Sequence, residues 1–201
     1  MYEKVEKQYN SDNSSVTILT NGTIVVKTPE PTTLYVYTYS GETNNKGAQT
    51  GIVEVYKPSE LIQTDVNHPV YTAPFVSGAN FTDSNGNTQK FDPCPTGVYF
   101  DVKRESSDTT GNSVLKDENH GNHTITVNGG TIITTSTIMR LPGLEGYLVH
   151  QGNNRSDVTN SYTEGCLAIT TSQITSGITP EQNNTQMQRI QGATNATIIV
   201  R

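Results

Sequence analysis

The chain has no tryptophan, only two cysteines and few charges: 16% of its 201 residues are Asp, Glu, Lys or Arg. Each shortage closes off a class of protein. Two cysteines, Cys94 and Cys166, cannot build the disulfide framework of a small secreted scaffold. A single bridge between them is open to an oxidising compartment, but the preferred reading is a reduced Cys166. No Lys/Arg cluster stands out, the net charge is −6 and the pI is about 5.1, so no nucleic-acid partner is expected. No apolar run approaches the ~20 residues that cross a bilayer, so no membrane partner is expected either. The opening MYEKVEKQYN is polar and holds no signal-peptide core. That leaves three origins open: a cytosolic protein, one released or carried out by other means, or a chain that begins after a removed leader.

What is present points to strands. Hydrophobic residues make up 32% and aromatics 7%, and the mean hydropathy is −0.52. The polarity comes from Thr, Asn, Ser and Gln rather than from charge. Disordered chains are rich in net charge and poor in β-branched residues, whereas this one is rich in Thr, Val and Ile. Strands and helices do not alternate, which argues against a parallel α/β sheet. No internal repeat is evident, and the length suits one domain or one domain with an appendage. The fold class expected is mainly β.

Along the chain, 16–20 and 23–27 flank Asn21-Gly22, a strong hairpin signal. Thr28-Pro29-Glu30-Pro31 is expected to end that strand. A new strand follows over 32–39, with Tyr35, Tyr37 and Tyr39 on one face. That stripe can bind a carbohydrate or a partner, or it can simply pack on a neighbouring surface. The polar loop 41–49 reads as a boundary, giving a β-hairpin appendage over 1–45 and a main domain over 46–201. Residues 52–56 form a strand, and Pro58-Ser59-Glu60 starts a turn. Asp83-Ser84-Asn85-Gly86-Asn87 is similar to a calcium loop but lacks the closing Glu, so a hairpin turn is expected. Cys94-Pro95-Thr96-Gly97 forms a turn leading into a strand with Val98, Phe100 and Val102 on one face. The stretch 106–123 holds Asp108, Asp117, Glu118, His120 and His123. Its spacing fits no metal motif and reads as a solvated loop, so no metal site is expected. Residues 124–127 and 131–140 flank Asn128-Gly129-Gly130 as strand, turn and strand. Thr179, Pro180 and Gly192 bracket the one helix expected, ending near Ile190, and 196–200 is a closing strand.

The most informative stretch runs from Gly146 to Ile169, GYLVHQGNNRSDVTNSYTEGCLAI. An apolar run ends on His150, a polar loop follows, and Thr163-Glu164-Gly165-Cys166 leads into a second apolar run. The pattern is strand, loop, strand, with an imidazole at the end of one strand and a thiol at the start of the next. A thiol attacks as thiolate, and a neighbouring imidazole both lowers its pKa and takes its proton. Gly165 leaves room for a substrate carbonyl, and the amides of Gly165 and Cys166 could hold a developing oxyanion. The bland alternative is a buried His and a buried Cys that merely pack.

These residues resemble a known family. H-x15-C ending in T-E-G-C is similar to the His…Ser/Thr-His-Gly-Cys signature of the L,D-transpeptidases, cysteine enzymes that cross-link peptidoglycan stem peptides. The match is closer to a related group in bacteria and their viruses, with a signature of roughly I-H-x-G-N, a short loop and D-T-E-G-C-I. Val149-His150-Gln151-Gly152-Asn153 and Thr163-Glu164-Gly165-Cys166-Leu167 carry it here. Leu141 to Gly146 and Pro95-Thr96-Gly97-Val98-Tyr99 add to it, and the likeness covers about 51–176. Two departures stand out. Glu164 occupies the place of the transpeptidases' second His. Residues 158–162 lengthen the loop, which means either altered substrate access or a tolerated insertion.

The resemblance implies an L,D-transpeptidase-like β-sandwich or barrel with one short helix near the C-terminus. It implies Cys166 as nucleophile, His150 as base, the Gln151 carbonyl as the group orienting the His, and Gly165 beside the thiol. Asn153, Arg155, Asp157, Thr163 and Glu164 would line the substrate side, with Arg155 suited to a carboxylate and Glu164 to an amine. The implied partner is a peptidoglycan stem peptide, and no cofactor is called for. The Thr/Asn-rich, charge-poor composition also suits a different class. In that reading the chain is a structural or binding module of a phage virion or surface assembly, present in many copies, with the transpeptidase-like fold and no catalysis. Either a virion or a cell-wall-facing location fits.

Overall fold

The structure is a computed structural model that describes residues 4–102, 104–106, 123–127, 130–134, 137–141, 144, 148–151, 158–170 and 196–201. The described part is mainly β and contains no helix; the helix expected near 179–190 lies outside the described residues. The first five strands are β1 (Lys4–Tyr9), β2 (Ser15–Leu19), β3 (Ile24–Thr43), β4 (Gln49–Gln63) and β5 (Tyr71–Ser77). A hairpin follows, β6 (Ala79–Thr82) and β7 (Thr88–Phe91), and then β8 (Gly97–Val102) and β9 (Arg104–Ser106). The remaining strands are β10 (His123–Val127), β11 (Gly130–Thr134), β12 (Thr137–Arg140), β13 (Leu148–Gln151), β14 (Leu167–Ile169) and β15 (Ala196–Val200). Eleven of them form one mixed, strongly curled half-barrel sheet in the order β1-β2-β3-β4-β5-β14-β13-β12-β9, with β15 and β8 branching from β3. The pairs β6-β7 and β10-β11 stand apart as two-stranded ladders.

The β2–β3 hairpin forms where Asn21-Gly22 stands, through a three-residue connection. The Gly22 N–H donates to the Leu19 carbonyl at 2.9 Å, and the Leu19 N–H donates to Thr23 O at 2.9 Å. Gly22 has φ +84°, the left-handed position that follows a type I turn in such a hairpin. Asn21 Oδ1 accepts the Thr23 N–H and fixes the turn.

The strand expected to stop at Pro29 and Pro31 instead runs through them as β3, and the turn expected at Pro58 is the middle of β4. Both corrections have one cause. Proline removes a ladder donor but keeps the chain extended. Around these three prolines the β3–β4 register slips, from Lys27↔Leu61 to Thr32↔Ser59 to Leu34↔Tyr56. The same segment is where the other edge of β3 changes partner. β2 pairs with Ile24–Lys27, and β15 pairs in parallel with Thr33–Tyr37. The prolines therefore sit where no neighbour needs their missing N–H.

From Thr32 to Tyr37, β3 is buried on both faces. Tyr35 and Tyr37 enter a core with Val53, Phe75, Leu167, Ile169 and Ile198. Leu34 and Val36 enter a second core with Val16, Ile24, Val26, Tyr56, Ile62 and Ile199. Of the two readings of the tyrosine stripe, packing is the one realised. The Tyr37 ring meets Phe75 edge-on at 5.0 Å, and Tyr39 lies 5.3 Å from the same ring. Position 45, the expected domain boundary, falls in the turn between β3 and β4, and the β3–β4 ladder is paired as far as Thr43↔Gln49 beside it.

Two other strand expectations change. Val98 and Phe100 pack against the second core, but Val102 is in the first. The β8–β15 register slips between Ile198↔Tyr99 and Ala196↔Val102, with Asp101 at φ +53°. That bulge inserts one residue and turns Val102 to the other face. Residues 131–140 are two strands rather than one: β11 pairs with β10, and β12 joins the main sheet between β13 and β9. The Asp83 run is a hairpin turn, its carboxylate accepting the N–H groups of Asn85 and Asn87 at 2.9 Å each.

The Tyr37 hydroxyl is fully buried and has no hydrogen-bond partner. Such a group costs about 1–3 kcal/mol. Tyr37→Phe is therefore expected to leave stability unchanged or raise it by about 1 kcal/mol in urea unfolding; a loss above that size would show that the hydroxyl is bonded. Gly51→Ala is expected to do the opposite. A Cβ at Gly51 would run into the Thr38 carbonyl and lie 2.5 Å from Phe75 Cε1. Overpacking of this kind costs about 1–3 kcal/mol, read as a lower urea midpoint at unchanged slope.

Candidate active site

The thiol turn sits in the middle of the sheet. β5 pairs antiparallel with β14, Val76 opposite Ala168 and Phe75 opposite Ile169. β13 pairs parallel with β14, with Val149 opposite Leu167, His150 opposite Ala168 and Gln151 opposite Ile169. Cys166 stands just before β14. The backbone of His150 thus lies on the adjoining strand, opposite the residue one pleat repeat beyond Cys166, about 7 Å along the strand direction. His150 and Gln151 are placed here by backbone register alone. Asn153, Arg155 and Asp157 lie outside the described residues.

The turn itself is fixed by hydroxyls. Thr163, expected on the substrate side, is buried, and its hydroxyl works inside the turn. Thr163 Oγ1 accepts the N–H of Gly78 at 3.0 Å and of Gly165 at 3.2 Å, and donates to the Cys166 carbonyl at 2.8 Å. The Gly165 amide, one of the two expected oxyanion donors, is therefore already engaged. Gly165 has φ +111°, a conformation that side-chain-bearing residues rarely adopt. Its carbonyl accepts the Ser77 hydroxyl at 2.9 Å, and Ser77 Oγ in turn accepts the Cys94 N–H at 2.9 Å. Glu164 is exposed.

The lengthened part of the loop is docked on the β3–β4 turn. Asn44 Nδ2 donates to the carbonyls of Val158 and Ser161, each at 2.6 Å. Asn44 Oδ1 accepts the N–H of Lys46 at 2.9 Å and of Ala48 at 3.1 Å, so both ends of the amide are used. The Asn45 N–H adds a bond to Thr159 O at 3.0 Å. Tyr162 then rests 4.8 Å from the Phe81 ring, which Lys46 Nζ covers at 4.4 Å from its centroid.

Sequence reasoning passed over Ser77, Gly78 and Asn44. Gly78 has φ +77°, and a Cβ there would lie 2.7 Å from the Phe91 carbonyl. Nothing local marks Ser77, whose Gly165 partner is 88 residues away. Asn44 turns the chain through the nearby N–H groups of Lys46 and Ala48, but nothing local points to the Val158 carbonyl 114 residues away.

Both thiols are buried, Cys166 at 1% exposure and Cys94 at 2%, and neither is in a disulfide. Burial pushes the Cys94 thiol up to about 12, with a smaller contribution of the same sign from Cys166 and an opposing one from its hydrogen bond with Tyr99. Cys94 is thus a poor nucleophile at neutral pH. Among the described residues no cluster of three or more His, Cys, Asp or Glu side chains could hold a metal ion. His120, Asp108, Asp117 and Glu118 lie outside the described residues.

Compared with known proteins, the chain matches no family model, no curated protein and no solved structure at a significant level.

Thr163→Val would strand the Gly78 and Gly165 N–H groups in a buried turn. At about 1–3 kcal/mol for each unsatisfied group, a loss of about 2 kcal/mol or more is expected. Thr163→Ser, which keeps the oxygen, should recover most of it. Equal stability of the Val and Ser variants in urea unfolding would show that the hydroxyl does not hold the turn.

Proposed function

We propose that this protein is a cysteine-dependent acyl transferase or peptidase of the L,D-transpeptidase kind, acting on peptidoglycan stem peptides. The observation that carries the reading is the parallel pairing of β13 with β14, which sets the His150 backbone beside the strand that Cys166 opens. The T-E-G-C turn and its resemblance to the transpeptidase signature supply the chemistry. In this reading the domain is an L,D-transpeptidase-like sandwich or barrel, with its short helix near 179–190.

Cys166 Sγ attacks a stem-peptide carbonyl while His150 takes the thiol proton. A carbon–sulfur bond forms, the carbon–nitrogen bond breaks, and the imidazole returns the proton to the departing amine. An amine or water then attacks the thioester and the thiol is restored. A thiol of ordinary pKa, ~8.5, is only a few per cent thiolate at neutral pH, so the imidazole supplies the activation. The Gln151 carbonyl orients that imidazole. Gly165 gives the carbonyl room, Thr163 acts as a positioning residue, and Glu164 meets a substrate amine. Asn153, Arg155 and Asp157 belong to the loop over the site, with Arg155 for a carboxylate.

A second reading rests on a specific observation, the 1% exposure of Cys166. A thiol covered to that extent suits a structural or binding module of a virion or surface assembly, repeated in many copies. Under the enzymatic reading, substrate reaches the sulfur only when the groups covering it move aside.

Intact-mass spectrometry with a carbapenem-type β-lactam and with a synthetic stem peptide separates the two. The enzymatic reading expects one covalent adduct, lost in Cys166→Ser and formed at least ~100-fold more slowly in His150→Ala, the usual size of a general-base contribution. An unchanged adduct rate in His150→Ala rejects the role of the histidine. A folded wild-type protein that takes no adduct from either reagent rejects the enzyme and leaves the module.

A further inference from the structure

Beneath the thiol turn lies a second sulfur that acyl transfer does not use. Cys94 and Cys166 are the chain's two cysteines. They come from distant segments, yet both are buried at the end of β5. A single oxygen joins their backbones: Ser77 Oγ accepts the Cys94 N–H and donates to the carbonyl of Gly165, the residue before Cys166, at 2.9 Å each. The two thiols are near enough for Cys166 to contribute to the upward shift of Cys94. Both remain thiols in this structure.

We propose that Cys94 and Cys166 are a redox modification site, closing to an intramolecular disulfide when the protein meets a hydroperoxide and reopening with a dithiol. Only the consequence, loss of the nucleophile, rests on the acyl-transfer reading; the bond itself does not.

The chemistry balances with one peroxide. The first thiol sulfur takes an oxygen from hydrogen peroxide, becoming a sulfenic acid, and one water leaves. The second thiol sulfur displaces that hydroxyl, the sulfur–sulfur bond forms, and a second water leaves. Two thiols lose two electrons and two protons, and the peroxide gains them. Cys166 is the first sulfur oxidised, because it adjoins the His150 strand and Cys94 is held protonated by burial.

The backbone allows the closure on one side. A disulfide needs Cβ atoms about 3.5–4.5 Å apart and a sulfur–sulfur distance of about 2.05 Å. Cys94 is stiff, flanked by Pro93 and Pro95. Cys166 follows Gly165 in a turn held by the hydroxyls of Thr163 and Ser77. Closure therefore requires those bonds to yield on the Cys166 side, while Cys94 between its two prolines stays in place.

The test uses the full chain, reduced, then treated with hydrogen peroxide and quenched with N-ethylmaleimide in denaturant. The expected product is a monomer about 2 Da lighter, with both thiols blocked together and both restored by dithiothreitol. In Cys94→Ala and Cys94→Ser the 2 Da loss should vanish, and Cys166 should become a dimedone-reactive sulfenic acid. The idea is overturned if Cys166 passes to the sulfinic acid while Cys94 still takes maleimide. It is equally overturned if the disulfide links two chains, or if neither thiol reacts. A carbapenem arm keeps the two readings apart. Oxidation should abolish the adduct and dithiothreitol should restore it, with Cys94→Ala acylated at the wild-type rate before oxidation. If the reduced protein takes no adduct, acyl transfer falls, and the mass change still decides the disulfide.

Discussion

The architecture depends on one strand pair that is apolar on both faces. Side chains along a strand alternate, so a strand normally buries one face and wets the other. β3 over Thr32–Tyr37 and β15 break that habit together: Tyr35, Tyr37, Ile198 and Val200 face one core, while Leu34, Val36 and Ile199 face the other. Their polar positions are matched as well, with the buried hydroxyls of Thr32 and Thr197 in contact at 3.1 Å. Because β15 pairs in parallel with residues 33–37, the shared wall is assembled from segments more than 150 residues apart. The prolines at 29 and 31 hold the handover point open, between a local antiparallel partner and a distant parallel one.

Among the described residues, the candidate site is suspended from that frame by hydroxyl and amide side chains. Ser77, Thr163 and Asn44 make bonds that tie residues 158–166 to the first half of the chain. In a buried turn such groups must be satisfied, and each one lost leaves a donor or acceptor stranded. Among the described residues the buried polar side chains are all Ser or Thr. Short neutral polar side chains can be buried and bonded without the desolvation cost that a charge would carry. Burial pushes up the Cys94 thiol and the Tyr35 and Tyr37 phenols, whereas the N–H groups of Ser14 and Asn87 hold the Asp12 and Asp83 carboxyls below their usual range.

Several elements were legible from local pattern. The Asn21-Gly22 hairpin, the Asp83 turn, the strand after Pro95 and the strands around His150 and Cys166 all carry their own turn chemistry and β-branched runs. The tyrosine stripe was legible as a face but not as a core, because alternation says which residues share a side and not what covers it. The misreadings share a cause. Pro29, Pro31 and Pro58 looked like strand ends because a proline lacks a ladder donor, yet here it falls where no partner asks for one. Val102 looked like a neighbour of Phe100 because a bulge at Asp101 leaves no local signature. Residues 131–140 looked continuous because a strand that leaves one sheet for another keeps its composition.

Local order alone determined that this chain makes strands, where its tight turns lie, and that a glycine precedes a thiol at the head of an apolar run. Those features depend on neighbours within a few residues, through backbone sterics and the two-residue alternation of a pleated strand. Tertiary structure decided the rest: that β13 lies parallel to β14, that β15 enters beside β3, that Ser77 bridges the two cysteine segments and that Asn44 holds the lengthened loop. Each of these joins positions far apart in the chain, and what selects them is the burial of shared apolar faces together with the bonding of the backbone and hydroxyl groups buried along with them, the Tyr37 hydroxyl excepted.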